Sequence, residues 1–106
     1  FWNAEQSAER AAEYVKQGFT GIKFDPAAPY SAFDPRQPSL ESIELCVKFC
    51  KLIREAVGTK ADLLFGTHGQ FTASGAIRFA KKIEPYDPLW FEEPTPPDKP
   101  EEMALV

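Results

Sequence analysis

The chain has 106 residues, 12 Lys and Arg against 16 Asp and Glu, 43% apolar residues, 10 Pro and 2 Cys. That is the size of one small domain able to bury roughly two-thirds of its unfolded surface, and its apolar and aromatic content excludes the low-hydrophobicity, high-charge profile of a disordered chain. A formal net charge of −4 without a Lys/Arg block argues against nucleic acid or an anionic membrane as partner and leaves small metabolites open.

The spacing predicts a first helix over residues 4–17, with Ala8, Ala11, Ala12 and Val15 on one stripe, a capping-box-like Asn3 and Gln6 at its start, and Gly18 as its stop. Residues 19–25 then read as a strand, with Ile22 and Phe24 on one face and Lys23 and Asp25 on the other; Pro26 ends it. Residues 26–38 form a proline-rich stretch too long for a simple connection, and Tyr30 and Phe33 suit a covering loop. Ser39 caps a strongly amphipathic helix to Val57, whose buried stripe is Ile43, Cys46, Val47, Cys50, Ile53 and Val57.

Residues 62–65 are a short apolar strand, followed by a loop of turn formers from Gly66 to Thr72. A further helix is predicted over residues 73–83, with Ile77, Ala80 and the Lys81 stem inward or flanking, and Pro85 breaks it. Residues 89–92 make a third strand, ended by Glu93 and Pro94, and Asp98 looks like the capped start of another helix. The alternation of helix and strand implies parallel strands joined by helical crossovers, in an open α/β sheet or a (β/α)8 barrel. Three strands cannot close a barrel, and the large apolar residues at both termini, Phe1 and Trp2, Leu105 and Val106, suggest a piece of a larger protein.

No apolar run approaches the ~20 residues needed to span a bilayer, and no signal-peptide pattern opens the chain. Cys46 and Cys50, four apart on one helix face, read as buried free thiols without metal or redox duty, which suits a reducing cytoplasm.

In parallel α/β architectures chemistry gathers at the carboxyl ends of the strands. Here those ends carry Lys23 and Asp25, then Gly66, Thr67 and His68, then Glu92 and Glu93. Charged groups delivered by buried strands must be solvated, paired or bound to a metal. Lys23 is equally readable as a salt bridge to Asp25 or Glu92, His68 as a loop histidine bonded to backbone, and Glu92 as a structural charge or a metal ligand. Asp34, Asp87 and Asp98 suit turns or caps, and Arg36 suits either surface charge or a clamp on a substrate carboxylate.

Three segments in this order, Gly-Ile-Lys23-Phe-Asp25-Pro, Thr-His68-Gly-Gln, and Pro-Leu-Trp-Phe-Glu92-Glu93-Pro94, resemble the second to fourth strands of the barrel domain of the enolase superfamily. Within it they are similar to the mandelate racemase/muconate lactonizing group and its galactonate and mannonate dehydratases. The resemblance implies an α/β fold, part of a modified (β/α)7β TIM-like barrel in a protein that also has a capping domain. It implies a Mg2+-dependent hydro-lyase that removes the proton α to the carboxylate of a sugar acid and eliminates water, acting as a homo-oligomer on a small carboxylate. Such a carbon acid needs a preorganised cation to hold the enolic anion, and oxygen ligands suit that hard metal.

Position by position, the resemblance puts Glu92 on the fourth-strand metal ligand, Lys23 on a residue facing the substrate carboxylate, and His68 on the general acid to the departing hydroxyl. Asp25 stands where racemases carry a second Lys, which favours elimination. Gly66 stands where the dehydratases carry an Asp metal ligand, and it has no side-chain oxygen; water, Thr67 or Asp25 would have to serve instead, or the activity is altered. The remaining metal ligand and the base are expected on later strands. A catalytically silent barrel with a binding or structural role, and a racemase or cycloisomerase, remain the alternatives.

Overall fold

A computed structural model describes residues 3–26 and 38–106. Its elements are α1 (Ala4–Lys16), β1 (Gly21–Phe24), α2 (Leu40–Val57), β2 (Asp62–Gly66), α3 (Ala73–Ile83), a 3-10 turn (Glu84–Tyr86), β3 (Pro88–Glu92) and α4 (Pro100–Leu105). The strands form a parallel sheet in the order β1-β2-β3. Strands adjacent in sequence are thus adjacent in space, the progression that runs round a barrel wall.

The helix starts follow from short polar side chains. Asn3 and Gln6 make a reciprocal capping box at α1, Ser39 accepts from the backbone of Ser42 at α2, and Thr72 accepts from Gly75 at α3. Gly18 follows α1 with φ +102°, a conformation that favours glycine. Pro85 does not simply end α3: it opens the 3-10 turn, after which Asp87 takes the left-handed conformation. Asp98 is not the cap of α4, whose N-cap is Lys99 with proline in the first turn and no side-chain capping bond.

One face of the sheet is apolar and covered by helices. Phe24, Phe65 and Phe91 stand in register across the three strands, and Phe24 and Phe65 meet edge to face with ring centroids 4.8 Å apart. Phe79 of α3 packs 5.6 Å from Phe91, and also against Phe71. Cys46, Cys50, Ile53 and Val57 of α2 and Ala11 of α1 complete this core. On α3 the buried positions are Gly75, Ala76, Phe79 and Ile83; Ile77 and Ala80 are half-buried and Lys81 is exposed. The Phe79 ring decides the rotation, because it has aromatic partners on both β3 and the loop before α3.

Arg54, from the last turn of α2, ties the far end of the unit together. Its guanidinium donates to the carbonyls of Gly58, Ala61, Tyr86 and Asp87 at 2.9–3.0 Å. The two free cysteines are buried on α2, and burial pushes the Cys46 thiol up to about 12 and raises Cys50 as well. Among the described residues no helix is long and apolar enough to cross a membrane.

Candidate active site

Side chains alternate across a strand, so the face opposite the phenylalanine row carries Lys23, Leu64 and Trp90 in one register line and Gly66 and Glu92 in the next. Here the sequence-predicted residues meet. The Lys23 Nζ lies 2.7 Å from Glu92 Oε2. A Cβ placed on Gly66 would come within 3.2 Å of Lys23 Cε, so the lysine stem crosses the gap that the missing side chain leaves on the central strand. The Trp90 indole N–H also points at Glu92 Oε2, at 3.4 Å. The Lys23 ammonium holds the Glu92 carboxyl below its usual range; loss of hydration opposes it, and the Trp90 indole assists to a lesser degree. Of the two partners open to Lys23 on sequence grounds, Glu92 is the one it takes.

His68 stands one loop residue beyond Thr67, with φ +58°, and its Nδ1 lies 3.8 Å from Asp25 Oδ2. Asp25 is largely buried at 16% side-chain exposure, while His68 is 61% exposed. The backbone around His68 is laced to the end of β3: Thr67 N–H donates to Glu92 O at 3.2 Å, Gly69 N–H to Glu93 O at 2.6 Å and Phe71 N–H to Pro94 O at 3.1 Å. Thr67, fully buried, adds a side-chain bond to Glu93 O. Gly69 needs to be glycine twice over, since its φ is +67° and a Cβ would come 3.3 Å from Pro96 Cα and Thr95 O.

Sequence reasoning named Lys23, Asp25, His68 and Glu92, and the structure brings Lys23 to Glu92 and Asp25 to His68. It did not find the Thr67 and Gly69 ties or the Trp90 contact; the only signal for them was a buried small polar residue beside a glycine in a loop of turn formers. Arg36 and the rest of residues 27–37, which carry the expected covering loop and Asp34, lie outside the described residues. For a divalent cation, Glu92 is a suitable hard oxygen donor, but Gly66 offers none, and among the described residues no three His, Cys, Asp or Glu side chains cluster to hold a metal. These residues fit one ligand of a metal centre, not a complete one.

Residues 6–106 match the family model described as "Enolase C-terminal domain-like". Among curated proteins the chain is 40% identical over 89 residues to the D-gluconate dehydratase of Thermoproteus tenax, covering 82% of this chain and 17% of that one. It is 33% identical over 108 residues to the D-xylonate dehydratase of Haloferax volcanii, covering 98% of this chain and 26% of the relative. Among solved structures, the mandelate racemase/muconate lactonizing enzyme from Jannaschia sp. CCS1 superposes with a TM-score of 0.92 at 57% identity, over 98% of this chain and 27% of that one. The chain therefore spans no more than about a quarter of the length of these relatives. Sequence order, parallel sheet and the match over nearly its whole length agree: this chain belongs to the enolase C-terminal domain-like family, within the mandelate racemase/muconate lactonizing branch of the enolase superfamily.

Proposed function

We propose that this chain supplies part of the active site of a sugar-acid dehydratase, a hydro-lyase acting on an aldonate. The observation that carries this reading is that an ammonium, an imidazole–carboxylate pair and a carboxylate stand together at the carboxyl ends of three consecutive parallel strands. The dehydratase names of the curated relatives support it.

In this reading Lys23 binds the substrate carboxylate. Glu92 serves as one ligand of Mg2+, the other ligands coming from outside these residues. When bound, the cation supplies the positive charge that stabilises the anion left by loss of the α-proton. A base from another strand takes that α-proton, and the electron pair moves to expel the β-hydroxyl. His68 hands its proton to the departing oxygen, which leaves as water. Asp25, whose Oδ2 lies 3.8 Å from His68 Nδ1, stands on the imidazole edge away from this transfer and orients the ring for it. Arg36 is a second clamp on the substrate. The absence of a second lysine at Asp25 favours elimination over racemisation or cycloisomerisation.

We read the complete protein as a cytoplasmic homo-oligomer in which this chain is a segment of the barrel beside a separate capping domain. Gly66 favours a second reading, a barrel whose chemistry is altered or silent. The experiment is turnover of a panel of gluconate, galactonate, xylonate and their epimers by the complete protein with Mg2+, following 2-keto-3-deoxy acid formation. The expected result is dehydration of at least one acid, falling roughly 100-fold or more in His68→Asn. No turnover by the folded wild type, with activity gained in Gly66→Asp, would establish the second reading, and a product of unchanged mass and inverted centre would establish an isomerase.

A further inference from the structure

We propose that Gly66 is a positioning residue for Lys23: the room above the central strand lets the lysine stem cross to the end of β3, where the ammonium, backed by Glu92, holds a ligand carboxylate without help from a metal ion. The proposal rests on the reading of Lys23 as the residue that meets the substrate carboxylate. It adds what sets the place of that charge and what the capture step does without.

Three observations carry it. Lys23 stands in register with Leu64 and Trp90, one line below Gly66 and Glu92, yet its Nζ is 2.7 Å from Glu92 Oε2, so the side chain climbs one level and passes over β2 to the strand beyond. The path runs over Gly66, where a Cβ would come 3.2 Å from Lys23 Cε, while the next neighbours, Glu92 Cβ and Oε2, lie at an ordinary 3.9 Å. Gly66 has no positive φ to require glycine, unlike Gly69, so the crossing lysine is the one close neighbour that a side chain here would meet. The positive charge at these strand ends is the ammonium's own: among the described residues no three His, Cys, Asp or Glu side chains cluster to hold a metal, and the Glu92 carboxylate already has the ammonium on it.

The chemistry is that of a point charge aimed in advance. Of the three ammonium N–H groups Glu92 Oε2 takes one, and the Lys23 side chain is 56% exposed, so donors remain for a ligand oxygen. Because Glu92 already orders the long stem, less freedom is lost when a carboxylate joins it, and a charged donor is what a carboxylate binds most strongly. Besides the Lys23 ammonium, which dominates, the His68 imidazole also helps to hold the Glu92 carboxyl below its usual range, so ammonium and imidazole serve one locality. A branched side chain at position 66 would deny the stem its route and release the ammonium from Glu92.

The test is calorimetric binding of gluconate, galactonate and xylonate to the complete protein with EDTA present, against the matching amides and alditols, which lack the charge. Wild type is compared with Lys23→Met, Gly66→Ala and Gly66→Val, with Gly66→Thr in place of the last should it not fold; thermal melts verify each protein. Labelling of Lys23 by trinitrobenzenesulfonate is followed by mass spectrometry, with Lys51 and Lys60 as references. At least one acid should bind without metal, about tenfold or more tighter than its uncharged analogues. Lys23→Met and Gly66→Val should each weaken the acid about tenfold and leave the analogues unchanged, whereas Gly66→Ala, whose methyl group the flexible stem can clear, should change it less than about threefold. Lys23 should label faster in Gly66→Val while Lys51 and Lys60 keep their rates, a selectivity that general loosening of the fold does not give.

Acid binding only with a divalent cation present, acid and amide bound equally, or no acid bound by the wild type would overturn the proposal. So would a Gly66→Val protein that binds and labels like the wild type, or in which all three lysines change together. The dehydratase reading fails separately. If the acids bind in the expected order and none loses water when Mg2+ is supplied, the capture site stands and the reaction falls; if an acid is dehydrated but binds only with Mg2+, the reaction stands and this proposal falls.

Discussion

The Thr67 hydroxyl donates to the Glu93 carbonyl oxygen at 3.2 Å, joining a fully buried side chain in the loop after β2 to a left-handed residue at the end of β3. Since Thr67 immediately precedes His68, this bond bears on where the imidazole stands. Thr67→Val keeps the shape and removes the donor, and should cost about 1–2 kcal/mol, read as a lower melting temperature. On the dehydratase reading kcat falls with little change in KM, and Thr67→Ser restores most of both.

Gly69→Ala introduces a methyl group at φ +67°, 3.3 Å from the Pro96 and Thr95 backbone. Neither neighbour can swing aside, so the loop has to shift. The expected loss is about 1–3 kcal/mol, measured by denaturant unfolding. Gly18→Ala, also at positive φ but with open space around it, should be milder.

Arg54→Ala removes one guanidinium that serves four carbonyls from the end of α2, the start of β2 and the turn before β3. Hydrogen bonds from a charged donor are each worth about 1.5–3 kcal/mol and do not add fully; a total loss of about 2–4 kcal/mol is expected. Arg54→Lys should recover only a small part, because an ammonium cannot span the same fork. Chemical denaturation of the three proteins checks the order.

The buried thiols set an alkaline limit. Cys46 ordinarily titrates near 9 and is pushed up to about 12 in the fold, so the unfolded chain loses its proton first. A raised folded pKa gives stability that is fully present below the unfolded value and drains away as pH rises from about 9 towards 12. Cys46→Ala should therefore flatten the fall in melting temperature over that window relative to wild type. At neutral pH both native thiols should resist alkylation until the protein unfolds.

Much of this architecture was legible because its signals are local. Asn3 and Ser39 announce helix starts through their own side chains, and the stripe on α2 repeats over about four turns, from Ile43 to Val57. The strands Gly21–Phe24 and Pro88–Glu92 were readable within one or two residues because proline or glycine bounds them. What escaped depends on distant partners. The rotation of α3 is set by Phe79 against Phe71 and Phe91, and the helical period alone admits the neighbouring stripe through Ile77 and Ala80 equally well. At the site, the residue types at the strand ends named Lys23, His68 and Glu92, yet the choice of Glu92 over Asp25 as lysine partner follows from the pairing of β2 with both of its neighbours, with Gly66 lying between. Nothing in the sequence singles out Arg54, because its four acceptors are backbone atoms, which leave no trace in the residue types.

The lacing of residues 67–71 to residues 92–94 ties two connections into one ribbon. Neither can be lengthened or shortened alone without breaking a run of main-chain bonds and turning the imidazole away. Diversification of this part of the molecule, whether by nature or by an engineer, has to proceed through exchange of side chains or through paired insertions, never through one connection by itself.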